Sequence, residues 1–385
     1  MPAGPFSFSK AQPLPMTSVS SAASGRDAVS PAVPPERRRL GSLLIRASTL
    51  LLGAAILVEV LYATGVISFG FPNWQPIFIA YILWSVALCW GLVLRDGEAG
   101  WRALFVLPAI LFTLALVIFP TFFGFFIAFS DWNLQSATGR QFNGLDNLRQ
   151  LWSDPYFWNA LGNMVFYVAT VVVQYAIAFG LALLLNADIK AQKFFRVSFL
   201  LPFMLSPVAV SWMIGKSMLE FRFGPVTNLL RWLGWENPSL LTSPWLAKTT
   251  IALMDAWVWI PFMMIMILAG LQALSKEVQE AAKVDGATGW QGFWQITFPL
   301  MLPVSLTTIV LRVIFQLKLA DIVINTTSGG PGGATDTISS FIFREYKDRS
   351  NVGYGTMIAE VYLILIIVFI ALLLWATNRF MQRHA

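Results

Sequence analysis

Long apolar runs alternate with short polar stretches along most of the chain. Eight such runs occur, at roughly 43–66, 76–94, 104–129, 159–185, 197–219, 248–272, 299–323 and 354–378. Each supplies the ~20 mostly apolar residues that a helix needs to cross a bilayer core. Pro108, Pro120, Pro202, Pro207, Pro261 and Pro303 lie within or near the ends of these runs. Membrane helices tolerate such prolines because neighbouring helices re-satisfy the freed backbone groups. The pattern predicts an all-α polytopic membrane protein with about eight transmembrane helices. Residues 1–41 break the pattern. They are rich in Pro, Ser and Ala and are read as a disordered tail.

Composition narrows the class. Only 12% of the 385 residues are charged and 57% are hydrophobic, against about a quarter charged in a soluble domain. The chain has one cysteine, Cys89, and one histidine, His384. A disulfide framework, a thiolate metal cluster and histidine-based acid/base catalysis are thereby excluded. The net charge of +6 becomes a topology signal. With the N-terminus inside, fifteen Lys and Arg fall in cytoplasmic segments and nine outside, with Arg312 and Lys318 within a span. This bias favours cytoplasmic N- and C-termini and needs no nucleic-acid partner.

The segment 273–298 is the one long cytoplasmic loop. Its sequence predicts a short helix over 275–285, with Ser275 as N-cap and Glu277 in the first turn. Gly286 and Gly289 allow a sharp turn. A second short helix then runs through Trp290, Phe293, Trp294 and Phe298, before Pro299 opens the next span. Ala281 and Ala282 keep one surface thin, and Glu280 and Asp285 place carboxylates beside it. That surface suits docking into a groove on another protein. A plain amphipathic segment at the membrane surface fits equally well.

The stretch EAAKVDGATGWQGFWQITFP resembles the EAA loop of binding-protein-dependent ABC importer permeases of the carbohydrate, maltose-type family. The matching positions are Glu280-Ala281-Ala282, Asp285-Gly286-Ala287, Ile296 and Phe298-Pro299, with Phe298 replacing the usual Leu. The likeness extends over 104–380. It includes KFFRVSFLLPFMLSP, the Gly329-Gly330-Pro331 turn and NVGYGTMIAEVYL. It implies three segments: a disordered cytoplasmic tail (1–41), two extra N-terminal transmembrane helices (42–100) and a six-helix permease core (101–385). It also implies a bacterial inner-membrane location and a set of partners. These are a second related permease, two ATP-binding cassette subunits on the cytoplasmic side, an extracytoplasmic solute-binding protein and the lipid bilayer. ATP and Mg would be used by the partner ATPases, and no cofactor would be bound by this chain. Glu280 would be the first coupling residue.

Ionisable groups inside spans are costly and are functional candidates by default. Here they are Glu59, Asp255, Asp321, Glu360, Arg312 and Lys318. Lys318 and Asp321 are spaced to pair on one helix face, which suggests a structural role. At about 100° per residue, Arg312, Gln316 and Leu319 share a different face. No acid lies three or four residues from Arg312, so its partner must come from another helix, the second permease or a solute. The resemblance implies that Val258, Trp259, Phe262, Arg312, Phe315, Gln316 and Leu319 line a solute site. Aromatic faces and an amide suit a carbohydrate. Arg312 adds a charge suited to a carboxylate, phosphate or sulfonate, so the expectation extends to acidic sugars. Core or lipid-facing packing is the plainer reading of the aromatics.

Gly215-Lys216-Ser217 imitates the end of a phosphate-binding loop, but Val210 stands where its first glycine belongs. The chain is therefore expected to be a transport subunit without its own ATPase site. The competing class is an ion-coupled secondary transporter of a polar solute, which the intramembrane acids allow and the 273–298 loop does not explain.

Overall fold

The computed structural model describes residues 33–63, 66–71, 75–187 and 190–384. Seven of its helices are long and apolar enough to cross a membrane, or eight when one bent pair counts as a span. They are α1 (Pro35–Ala63), α2 (Gln75–Asp96), α3 (Glu98–Ala128), α4 (Pro155–Asn186), α6 (Pro244–Ala273), α7 (Gly289–Gln316) and α8 (Val352–His384). The pair, α5, joins Gln192–Met204 to Pro207–Met218 at 93°. Leu205 and Ser206 are extended between the halves, and Pro207 starts the second half because its missing N–H costs nothing at a helix start. The expected straight span 197–219 is thus a broken one.

α1 begins earlier than expected. Pro35 opens it, Glu36 lies in its first turn, and Arg37-Arg38-Arg39 are already helical. An acid near a helix N-terminus and proline at the first position both favour this start. The rest of the expected tail, 1–32, lies outside the described residues.

The chain divides into two compact units, 1–119 and 120–385. In the first, α1 meets α2 through small residues. A Cβ on Gly41 would stand 2.5 Å from the Gly91 carbonyl, the close approach that glycine permits between membrane helices. Trp84 Nε1 donates to Thr49 Oγ1 at 3.0 Å. The Glu59 carboxylate accepts the Phe71 amide at 3.3 Å.

In the second unit, α4 and α6 form the centre, with α7 and α8 packed around them. Phe157, Met164, Ala178, Met263, Ile267 and Met301 are buried there. A two-residue ladder pairs Ser130–Asp131 with Gln141–Phe142. Glu360 of α8 is buried against Gly124 of α3, where the absent side chain leaves room for the carboxyl.

α7 differs from the sequence reading at both ends. Trp290, Phe293, Trp294 and Phe298 do not form a separate helix. They are the first turns of α7, which passes through a π-helical segment at Phe293–Thr297 before Pro299. The wider turn of a π segment is a common way to accommodate an insertion within a helix. At its far end α7 stops at Gln316 although the apolar run continues. The chain turns through 317–320, and a new helix starts at Asp321. The freed carbonyls find donors far away in sequence. Tyr362 Oη donates to the Leu317 carbonyl at 2.7 Å, and Thr337 Oγ1 donates to the Leu319 carbonyl.

Candidate functional site

Asp255, Val258, Trp259 and Phe262 recur at helical spacing along α6. Arg312, Phe315 and Gln316 recur likewise along α7. The two stripes face each other across a fully buried ion pair. Arg312 is 0% exposed and Asp255 1%. Arg312 Nη2 donates to Asp255 Oδ2, and Arg312 Nε donates to Gln174 Oε1 of α4 at 3.0 Å. Gln174 Nε2 in turn donates to Thr170 Oγ1 at 3.2 Å. Three helices are thus joined by one polar network. The counter-ion that the sequence left open is on another helix of the same chain, one of the three alternatives. Removing one member of such a pair strands a buried charge and costs about 3–5 kcal/mol.

The aromatic residues sit over this network. The guanidinium carbon of Arg312 lies 5.0 Å from the Trp259 ring centre, within cation–π range. Trp259 stacks on Phe315, with centroids 4.6 Å apart and planes 27° from parallel. Phe262 stacks on Phe203 at 5.5 Å and 27°. Phe203 and Phe315 are exposed, and Trp259 and Phe262 half-buried. Two polar atoms beside the rings are buried without a hydrogen-bond partner, Arg312 Nη1 and Gln316 Oε1, while the Gln316 amide nitrogen lies beside the Asp255 carboxylate. Such atoms are rare in native interiors and call for a specific explanation. The arrangement offers flat apolar faces beside a donor and an acceptor.

Five of the seven expected residues therefore gather: Trp259, Phe262, Arg312, Phe315 and Gln316. Val258 and Leu319 go elsewhere. Both are buried in an apolar cluster with Tyr167, Val210, Ile251 and Ile322, where they support the site without lining an open face. Sequence reasoning missed Gln174 and Phe203 and did not join Asp255 to Arg312. Gln174 carried a usable signal, a lone amide in an apolar run. Phe203 carried none until the bend of α5 brought it beside Phe262.

Lys318 and Asp321 do not pair. The helix ends between Arg312 and Lys318, so the assumed common face does not exist, and both side chains are exposed.

The polar loop between α6 and α7 begins with a helix at Lys276–Val284. Ser275 is its N-cap by position, without a side-chain cap bond. Gly286 has φ +80°, in the left-handed region where glycine is favoured. Gly289, the other expected turn residue, is simply the first residue of α7. Thr288 caps α7. Its hydroxyl accepts the Gln291 amide at 3.3 Å, and the Gln291 side chain accepts the Thr288 amide at 2.9 Å. Glu280, Ala281, Asp285 and Gly286 are exposed, while Ala282 and Ala287 are half-buried. Val284 is 87% exposed. On the inner side of the loop, Ala282, Lys283, Ala287, Trp290 and Phe293 line a groove of about 510 Å³ that reaches Leu183.

Known proteins resemble this chain along most of the second unit. The profile of a family described as binding-protein-dependent transport system inner membrane component matches residues 175–383. The sulfoquinovosyl glycerol transport system permease protein SmoG of Agrobacterium fabrum is 32% identical over 71% of this chain and 88% of its own length. The trehalose/maltose transport system permease protein MalF of Thermococcus litoralis is 31% identical, over 71% of this chain and 92% of its own. The lactose transport system permease protein LacF of Rhizobium radiobacter is 34% identical, over 72% and 94%. A chain in the crystal structure of a bacterial ABC transporter that imports the acidic polysaccharide alginate shares the fold. Its TM-score is 0.65 at 23% identity, covering 74% of this chain and 98% of that one.

Proposed function

The chain belongs to the family of binding-protein-dependent transport system inner membrane components, and on that premise we propose that it is the permease subunit of an ATP-driven ABC importer that carries a carbohydrate or sugar-like solute into the cytoplasm. The observation that carries the solute class is the stacked aromatic face with unpartnered polar atoms beside it. Sugar rings offer C–H faces to aromatic rings and hydroxyls to donors and acceptors. The names of three relatives agree: their solutes are a sulfoquinovosyl glycerol, trehalose or maltose, and lactose.

The broken helices suit such a path. α5 is bent at 93° and α7 stops within its apolar run. In membrane proteins, irregular backbone at membrane depth is tolerated where protein covers it or where it lines a water-filled cavity.

Coupling is assigned to the loop at 273–298. Its exposed Glu280 and Ala281, with Ala282, Asp285, Gly286 and Ala287, would enter a cleft of an ATP-binding subunit on the cytoplasmic side. Both termini are then cytoplasmic, and the short ladder at 130–142 faces outward. A second permease and an extracytoplasmic binding protein complete the importer. ATP and Mg act on the partner subunits.

The test is reconstitution with the cognate second permease, ATPases and binding protein in liposomes. Uptake of sugar should require both internal ATP and the binding protein. Uptake driven by a proton or sodium gradient alone would instead establish an ion-coupled secondary transporter.

A further inference from the structure

We infer that Asp255 sets the charge selectivity of the solute site: by cancelling Arg312 from within the same chain, it tunes the aromatic face to uncharged sugars and against acidic ones. The inference rests on the carbohydrate reading above and adds a specificity-determining residue to it.

The geometry carries the argument. An isolated arginine beside stacked aromatic rings would attract any carboxylate or sulfonate. Here Arg312 is not isolated. Nη2 is bound to Asp255 and Nε to Gln174, and both charged groups are shut off from solvent. A solute anion over the Trp259 ring would meet the attraction of Arg312 and, from the carboxylate bound to it, the repulsion of Asp255. The two nearly cancel, and removing the anion from water goes uncompensated.

The atoms left over point the same way. Arg312 Nη1 is a donor, and Gln316, whose nitrogen lies beside Asp255, supplies one acceptor oxygen. A sugar hydroxyl both donates and accepts, so it satisfies either kind. A carboxylate only accepts, and the Gln316 oxygen would repel it. Selectivity of this kind comes from a repulsive element as much as from an attractive one.

Gln174 is a positioning residue in this scheme. It holds the guanidinium through Nε, beside both Asp255 and the Trp259 ring.

The experiment measures binding to the purified complex of this chain with its cognate second permease and ATPases. The solute-binding protein is left out because it would impose its own selection. Trehalose, maltose and lactose are titrated against their single-uronate counterparts by isothermal calorimetry at neutral pH. Four forms make a charge series: wild type, Asp255→Asn, Arg312→Gln, and both together. Wild type should bind the best neutral sugar about tenfold or more tighter than its uronate. Asp255→Asn should shrink that ratio by about tenfold or invert it, and Arg312→Gln should widen it. The double variant, again neutral, should return to within about threefold of wild type. A merely structural role would weaken both sugars of a pair equally and leave the ratio unmoved. If Asp255→Asn does not assemble, Arg312→Gln and the double variant decide. A wild type that prefers uronates, or a ratio that is flat across the series, overturns the inference alone. A wild type that binds none of the six probes overturns this inference, and the liposome uptake assay above, which includes the binding protein, decides the carbohydrate reading separately.

Discussion

The solute face and the coupling loop treat charge in opposite ways. At the solute face the two charges are completely buried, paired with each other and tied to a third helix through Gln174. In the loop, Glu280, Lys283 and Asp285 are exposed and form no ion pair among the described residues. Val284 stands almost fully clear of the chain. One region pairs its charges within the subunit. The other presents charges and an apolar tip that only another protein or the membrane surface can cover. On the function proposed above, the difference separates what this chain would do alone, shaping a site, from what it would do in company, receiving work from an ATPase.

The sharpest way to break that contrast is Glu280→Lys. If the loop acts only through a partner, ATP-driven uptake should fall to background while ATP hydrolysis continues. The melting temperature of the isolated chain should not move. A drop in melting temperature would make Glu280 structural and erase the contrast.

Arg312→Ala probes the other side. It should cost about 3–5 kcal/mol of stability, read as a lowered denaturation midpoint in detergent. Arg312→Met combined with Asp255→Leu should recover most of that loss, since paired apolar replacements leave no buried charge behind. A smaller effect is expected of Trp259→Ala. Loss of the ring stacked on Phe315 should lower sugar affinity about tenfold, by calorimetry on the complex, with little change in ATP hydrolysis. Gly286→Ala should be the mildest. Its φ of +80° strains any other residue by about 1–2 kcal/mol. Faster amide exchange across 276–288 would report it, with a partial loss of coupling.

The spans were legible because about twenty consecutive apolar residues have few other uses. The helix at Lys276–Val284 was legible for the converse reason, a polar and small-residue interruption with glycines after it. What stayed hidden depended on distant contacts. Asp255 and Arg312 stand on different helices, and no local spacing links them. The end of α7 at Gln316 is invisible in LKLADIVI, which reads as more span. It exists because Tyr362 and Thr337 supply donors to the carbonyls released there. That break, in turn, removed the helix face on which Lys318 and Asp321 were to meet. Val258 and Leu319 had the right spacing for the site, but the neighbours around Tyr167 decided which way they face.

The π-helical segment at Phe293–Thr297 has a consequence of phase. α7 is one rod with the coupling loop at its near end and the Arg312 face farther along. A π turn holds one residue more than the α turn it replaces, and each residue advances a helix by about 100°. The segment therefore sets the angular offset between the 273–298 loop and the Arg312 face, the two places that the proposed function assigns to coupling and to solute. Like a keyway cut in a drive shaft, it fixes the timing of the two ends. Straightening it into regular helix would leave every residue of both sites in place and turn one against the other by more than a quarter of a revolution.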